Sequence, residues 1–581
     1  MPAHIAVCLL CLSLAGLSPA ASALQLQAIE LQGIEGELAD NVRAQLSIER
    51  LTPEQRGDLS ETRLAYLLRA TPGEVQQGLE PYGYYDAEVA PEVVRDGQSV
   101  TLRLQIKPGE PVRVRRIEVA MHGPAEQDSA VSTRIDGFEP RPGEPFHHAV
   151  YEASKNGISR VLNEHGYFDA ELGTHRVEVT RADHAADIAL DWNSGARYAL
   201  GAVHFSGSQF RPGLLDPLVP WQVGEPYDQA KLLALQQALL DLDYFGAVNV
   251  QPEPEKASDR QAPIEVLLVP AKRSIYNAGL RYGTDSGPGV AARVERRWIN
   301  SAGHKMLVDT NFAQFKSDVV TQYRVPAFDH LQGWYGFAAS LHEEQIQDVT
   351  SQHFDLAVTR SGRWHDWNLL AGVNLKRERF DTLGKDGLGY STLVYPSLAG
   401  QWKRLDDVNF PRRALGVTLE LRSGLKTIGS DVDFLQLRAE GRYIRGLGER
   451  NRLLLRTELG TTVSDDFPDF PPSMRFYAGG DKSVRGYGYK EIGERAGSAV
   501  FGGKHLLVFS SELERMFTQS WGAAVFVDAG DAFNQKFRAQ LGIGAGLRWR
   551  SPVGLMRVDI AHGVGNPGQN LRLHISIGPD L

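Results

Sequence analysis

The chain has 581 residues, a net charge of −9 and 9% aromatic residues. That length implies several domains, and the mild negative charge argues against a nucleic-acid footprint. Beyond the N-terminus no apolar run approaches the ~20 residues of a membrane helix, which excludes a helical membrane protein but not a barrel, whose alternating strands keep mean hydropathy low.

Residues 1–23 come first. Ile5 to Leu17 is almost wholly apolar, and Ala21-Ser22-Ala23 offers small residues for cleavage, so a secretory signal peptide is predicted. Both cysteines, Cys8 and Cys11, fall inside it, and Leu10 before Cys11 is too large for lipoprotein processing. The rest of the chain has no thiol, which removes disulfides and cysteine chemistry together.

Residues 24–272 repeat three times, at 24–107, 108–193 and 194–272. The phrase Tyr82-Gly83-Tyr84-Tyr85-Asp86-Ala87-Glu88-Val89 returns as His165-Gly166-Tyr167-Phe168-Asp169-Ala170-Glu171-Leu172 and more weakly as Asp243-Tyr244-Phe245-Gly246-Ala247-Val248. Gly143-Glu144-Pro145-Phe146 returns as Gly224-Glu225-Pro226-Tyr227. Each unit reads as a strand, two helices and two strands. Leu232, Leu235, Leu239 and Leu242 mark one helix face, and Gly83 and Gly166 end helices in the left-handed region. The paired aromatics that follow are expected to plug the gap between helix and sheet.

From residue 273 to 581 the period becomes two. Leu415, Val417, Leu419 and Leu421 alternate with Gly416, Thr418, Glu420 and Arg422, and Leu369, Ala371, Val373 and Leu375 behave likewise. An apolar face on nearly every strand, with charges on the other, predicts a transmembrane antiparallel barrel of about 16 strands. Thr284 to Gly289 and Ser464 to Pro472 read as loops. Leu571, Leu573, Ile575 and Ile577 form a closing lipid-facing strand.

By the same parity Gly542, Gly544 and Gly546 face the lumen, a wall without side chains where another backbone can approach. The Val484-Arg485-Gly486-Tyr487 loop is expected to tuck against it and against the strand carrying Phe526, Asp528 and Gly530. Arg485 is expected to pair with Asp528 in a hydrated lumen, its planar fork matching a carboxylate as Lys cannot. There is no Gly-x-Ser-x-Gly elbow and no His-Glu-x-x-His, and Asp481 interrupts the superficial phosphate loop at Gly479 to Ser483. The 16 histidines show no ligand spacing, so no catalytic residue, metal or cofactor is assigned.

The tandem repeats resemble polypeptide-transport-associated (POTRA) domains. Val484-Arg485-Gly486-Tyr487, Phe526-Val527-Asp528-Ala529-Gly530, the run Gly546 to Gly554 with Arg557-Val558-Asp559, and Asp407 with Phe410-Pro411-Arg412-Arg413 resemble motifs of the outer-membrane protein assembly and two-partner secretion superfamily. Three repeats point to its translocation-and-assembly-module branch. The fold class is therefore three tandem α+β POTRA-like domains followed by a C-terminal barrel. The resemblance implies an outer-membrane assembly factor with periplasmic N-terminal domains and a weakly paired seam between Tyr276, Leu280 and Tyr282 and Leu571, Leu573 and Ile575. It further implies a TamB-like partner anchored in the inner membrane, unfolded outer-membrane or autotransporter clients, and contact with outer-membrane lipid. The alternative is a two-partner secretion pore for an extended exoprotein.

Overall fold

A computed structural model describes residues 24–329, 332–347, 349–381, 388–496, 499–551, 554–565 and 571–577. The predicted signal peptide and the Gly578-Pro579-Asp580-Leu581 ending lie outside the described residues, as do Pro552 and Val553. The chain divides into two compact units: Met1–Ala202 with Trp221–Leu232 and Pro252–Ile264, and Val203–Pro220 with Leu233–Gln251 and Glu265–Leu581.

In the first unit, the first repeat runs from strand Gln25–Gln32 through helices Glu37–Gln45, Pro53–Gly57 and Glu61–Leu79 to strands Glu88–Asp96 and Ser99–Lys107. The last strand lies central, parallel to the first and antiparallel to the second. Its alternation explains the position: Val100, Leu102, Leu104 and Ile106 all point into the core. The second repeat copies this order, with Ala186, Ile188, Leu190 and Trp192 buried on its central strand Ala185–Asn193.

The third sheet has the same strand order, from Ala199–Ser206, Phe245–Pro252 and Gln261–Pro270. Here one expectation fails. Only one α-helix, Gln229–Asp241, is present, and the other is reduced to a single 3₁₀ turn at Asp216–Leu218. Pro212, Gly213, Pro217 and Pro220 crowd that segment, and prolines withhold the N–H donors a longer helix needs.

The aromatic pairs do more than plug one repeat. Tyr84 packs into the first core and Tyr85 into the second. Tyr167 is buried in the second core, while Phe168 meets Tyr198 and Tyr227 edge-on at 5.4 and 4.8 Å. The first aromatic thus fills its own repeat and the second forms the joint to the next. Gly83 and Gly166 combine both needs: φ is 88° and 85°, and a Cβ would meet Phe146 O at 2.7 Å and Tyr227 Cβ at 2.6 Å. In the second unit this division of labour changes: Tyr244, the first of its pair, donates its hydroxyl to Gly303 O, and its ring lies 6.1 Å from Trp334 on a barrel strand.

The barrel is a sheet of 16 strands in consecutive order, from Ser274–Gly283 to Arg572–Ile577, joined by antiparallel ladders. Leu415, Leu419, Leu421 and Val373 face outward, while Lys376, Glu378 and Gln436 are buried inside. The expected loop from Thr284 shrinks to three residues, because strand Gly287–Arg296 already begins at Gly287. Among the described residues no ladder joins the first strand to the last.

Placing a charge in the outward band is costly, on the order of 2–4 kcal/mol for Arg near the bilayer midplane. Val373→Arg is therefore expected to reduce the folded barrel fraction, read as loss of the heat-modifiable band on semi-native gels.

Candidate functional site: an inward loop and an unzipped seam

The segment between strands Asn451–Val463 and His505–Met516 enters the barrel. Val484 is fully buried and Arg485 is 5% exposed. Arg485 Nε and Nη2 donate to Asp528 Oδ2 and Oδ1 at 2.7 and 3.0 Å, and its backbone N–H donates to Asp528 Oδ2 at 3.1 Å. Nη1 reaches Glu512 at 2.7 Å and Asp559 at 2.9 Å, and the guanidinium lies 3.3 Å from the Phe526 ring centroid.

Two expectations are corrected by this. Asp528 is 0% exposed, so the contact is shut off from bulk solvent. Nor is it a pair. Arg548 donates to Glu512, Glu514 and Asp559, and Arg452 donates to Glu514, which links three guanidiniums and four carboxylates. Burial by itself lowers the pKa of Arg485, but the hydrogen bonds and charge of Asp528, then the charges of Glu512 and Asp559, outweigh it and raise it. The loop cation is permanently charged.

The wall is shaped to receive the loop. A Cβ on Gly542 would collide with Arg485 O, and one on Gly530 would lie 3.0 Å from Val484 Cγ2. Gly544 and Gly546 have a different role from the one expected: they make room for the Phe526 ring and the Asp559 carboxylate, not for the loop. Gly563, unremarked in the sequence, would clash with Gly486 O and the Tyr487 ring. Gly486 itself has φ 92° and a Cβ there would lie 2.5 Å from Gly563 N. Tyr487 donates its hydroxyl to Val564 O at 3.0 Å. Upstream, Arg456 donates to the carbonyls of Lys482 and Ser483 and so fixes the approach to the motif.

At the seam, Tyr276, Leu280 and Tyr282 on the first strand and Leu571 and Leu573 beside the last are exposed on the outer face, and Ile575 is half-buried. No ladder brings these residues together among the described ones. One bond crosses directly, from Ile575 N–H to Thr284 Oγ1 at 3.4 Å, and the loop makes the other contacts. Thr284 Oγ1, at the end of the first strand, donates to Asp481 at 2.7 Å, and Asp481 N donates to Asp285 Oδ2 at 2.9 Å. His574 on the last strand contacts Asp481 Oδ1 through Nδ1 at 2.6 Å and accepts from Gly486 N at Nε2, 2.9 Å. Accepting at Nε2 puts the imidazole proton on Nδ1, aimed at Asp481. One loop thus clips both edges.

Sequence spacing hid two clusters of ligand-type side chains seen among the described residues. His342, His353 and Asp355 converge, but the Lys376 ammonium already sits 2.8 Å from Asp355. Asp285, Asp481 and His574 converge too, with their atoms committed to the clip. Neither is read as a metal site.

Residues 302–580 match the Omp85 superfamily domain, residues 28–108 the POTRA domain TamA domain 1, and residues 198–269 a POTRA model described as surface antigen variable number repeat. The outer membrane protein assembly factor BamA of Nitratidesulfovibrio vulgaris is 20% identical over 501 residues, which is 82% of this chain and 62% of that protein. BamA of Neorickettsia risticii is 23% identical over 514 residues, 82% of this chain and 67% of that one. The chain spans under two thirds of the first relative's length. In fold it is similar to the crystal structure of BamA from Haemophilus ducreyi lacking POTRA domains 1–3, with a TM-score of 0.69 at 16% identity, covering 80% of this chain and 99% of that one.

Fold and site define an outer-membrane β-barrel with periplasmic POTRA domains. Its barrel carries the Omp85 superfamily domain, at residues 302–580, and the repeats before it carry POTRA matches.

Removing one partner of a buried ion pair costs ~3–5 kcal/mol. Arg485→Ala, which orphans several carboxylates, is expected to release the loop. The thiol of Val484→Cys, at a position fully buried in the parent protein, should then react with a membrane-impermeant maleimide at least several-fold faster. Arg485→Lys should fail to restore protection, because an ammonium cannot span Asp528 with a fork. Asp528→Ala should release the loop less, since Glu512 and Asp559 remain.

Asp285, in the turn outside the strands, has its carboxyl pushed up to about 6, chiefly by burial and secondly by the charge of Asp481. A raised carboxyl favours the protonated native state, so its contribution is present at low pH and lost as pH rises through the interval from 3.8 to about 6. Asp285→Asn still accepts from Asp481 N and lacks the charge. It should protect the thiol of Val484→Cys at neutral pH at least as well as the parent and flatten the dependence across that interval.

Proposed function

We propose that this protein is an assembly factor that inserts or secretes outer-membrane clients by opening its seam sideways, and that it is of the TamA type. The observation that carries the proposal is the seam: among the described residues the first and last strands share no ladder, and one loop clips them. Unpaired strand edges in a membrane are costly unless another strand supplies the missing partners. An incoming client strand is such a partner, and releasing Asp481 from Thr284 and His574 exposes both edges at once.

The match of residues 28–108 to the TamA first-domain model supports the narrower assignment. On that reading the first repeat docks a TamB-like periplasmic protein, the clients are autotransporter-type and other barrel proteins, and phospholipid is a second cargo. The secretion-pore alternative requires a route through a lumen that the Arg485 loop crosses, and is disfavoured for that reason. No bond-making chemistry is assigned to the site.

Cysteines from the Leu280 and Leu573 neighbourhoods should lock the seam when oxidised, in a mature chain with no cysteine of its own. Client assembly should stop in the crosslinked barrel and return on reduction. Full assembly by a quantitatively crosslinked barrel would refute lateral opening. Deleting residues 24–107 should leave a heat-modifiable barrel that no longer co-purifies with the partner, and retained co-purification would move the docking site elsewhere.

A further inference from the structure

On the outer wall, far from the seam in strand order, three arginines stand together. Arg404 ends the strand Leu388–Leu405, Arg413 begins Arg413–Gly424, and Arg445 lies near the end of Phe434–Leu447. All three are exposed. Their facing follows from register. Arg404 is opposite Leu415 and Arg413 is opposite Arg445, and directly opposed residues share a face with Leu415, Leu419 and Leu421. That is the lipid-facing side.

The depth also follows from topology. The chain enters the first barrel strand from the periplasmic arm, so alternate turns are periplasmic, and residues 406–412 form one of them. The three guanidiniums therefore sit at the periplasmic headgroup level. Trp402 and Tyr443, one step deeper on the same face, are aromatics of the kind found at a membrane interface. Together these side chains line a groove of about 500 Å³.

The groove is electrostatically incomplete. Opposed like charges such as Arg413 and Arg445 destabilise a ladder. Among the described residues no carboxylate forms an ion pair with Arg404, Arg413 or Arg445. One acid lines the groove, Asp406, and its Oδ1 is engaged by the backbone N–H groups of Arg412 and Arg413 at 2.9 and 3.0 Å. Three cations against one anion leave an excess of two positive charges. Inward-facing arginines of the same strands are treated differently: Arg422 is paired with Glu420 and Arg438 with Glu458.

We propose that this groove binds the headgroup of an anionic phospholipid of the periplasmic leaflet. The phosphate would lie between Arg413 and Arg445, where a guanidinium fork matches phosphate oxygens, with Arg404 flanking it and an acyl chain along Leu415 and Val417. Charge complementarity selects an anionic lipid, and the apolar floor selects a lipid over a free anion. The proposal uses the barrel's place in the outer membrane and is independent of the client and partner assignments.

The test is native mass spectrometry of the full chain released from mixed micelles of phosphatidylglycerol and phosphatidylcholine. The parent protein should retain phosphatidylglycerol over phosphatidylcholine by roughly tenfold, as expected for two unneutralised basic charges at a membrane surface. R404S/R413S/R445S should lose that preference while keeping its heat-modifiable band. If the triple variant does not fold, R413S and R445S singly should each lower the preference several-fold, and R413K/R445K should retain part of it. Unchanged phosphatidylglycerol retention in the folded variants, or equal retention of both lipids by the parent, overturns the proposal. Displacement of the lipid by millimolar inorganic phosphate also overturns it, by making this a free-anion site. Client assembly is read separately, so a failure here leaves the seam mechanism standing.

Discussion

A guanidinium taken out of water must be met by carboxylates, and much of this barrel follows from meeting one. Arg485 is carried into the lumen on a loop, and Asp528, Glu512 and Asp559 on separate strands receive it. An ion pair this deeply buried adds little net stability over an apolar substitute, yet orphaning either side is expensive. It therefore acts as a fastener with one position. The loop backbone is brought against Gly530, Gly542 and Gly563, and those positions can bear no side chain. Fixing Arg485 also fixes its neighbour Gly486, whose N–H holds His574, which in turn faces Asp481. The lumenal network and the seam clip are one connected structure.

That connection gives the seam an unusual character. A barrel normally abolishes its edges by closing its ladder. Here, among the described residues, the ladder stops and a few contacts, Thr284 and His574 onto one carboxylate and Ile575 N–H onto Thr284, span the gap. Few contacts of this kind are broken far more cheaply than a strand-long ladder, because each hydrogen bond contributes only ~1 kcal/mol net. The loop is positioned to decide whether the edges are available.

Arginine is used in two opposite ways on the same strands. Inside, arginines are matched by carboxylates and set internal geometry. Outside, at the periplasmic rim, Arg404, Arg413 and Arg445 are left without acidic partners and turned toward lipid. The arm shows a comparable economy of means: one aromatic pair after each helix fills its own core and makes the joint to whatever follows.

Much of this was legible from the residues alone. Period-two alternation determines which face of a strand meets lipid, so the outward Leu419 and the inward Asp528 could be assigned without coordinates, and repeated phrases reveal the three-part arm. Bulk periodicity reads local geometry, and local geometry is set by near neighbours. It could not show that Pro212 and Pro217 reduce a helix to a turn in the third repeat, that Gly544 and Gly546 serve Phe526 and Asp559, or that Tyr85 belongs to the following core. Those depend on which elements pack together. The same holds for the charges: parity places Glu512, Glu514, Arg548 and Asp559 on one lumenal face, but only the curving of the sheet brings five strands and a loop to a common point. His574 and Asp481, 93 residues apart, become partners for that reason alone. The sequence by itself determined the faces; the tertiary structure decided the meetings, because charge and shape complementarity between distant segments exist only once the barrel has curved them together.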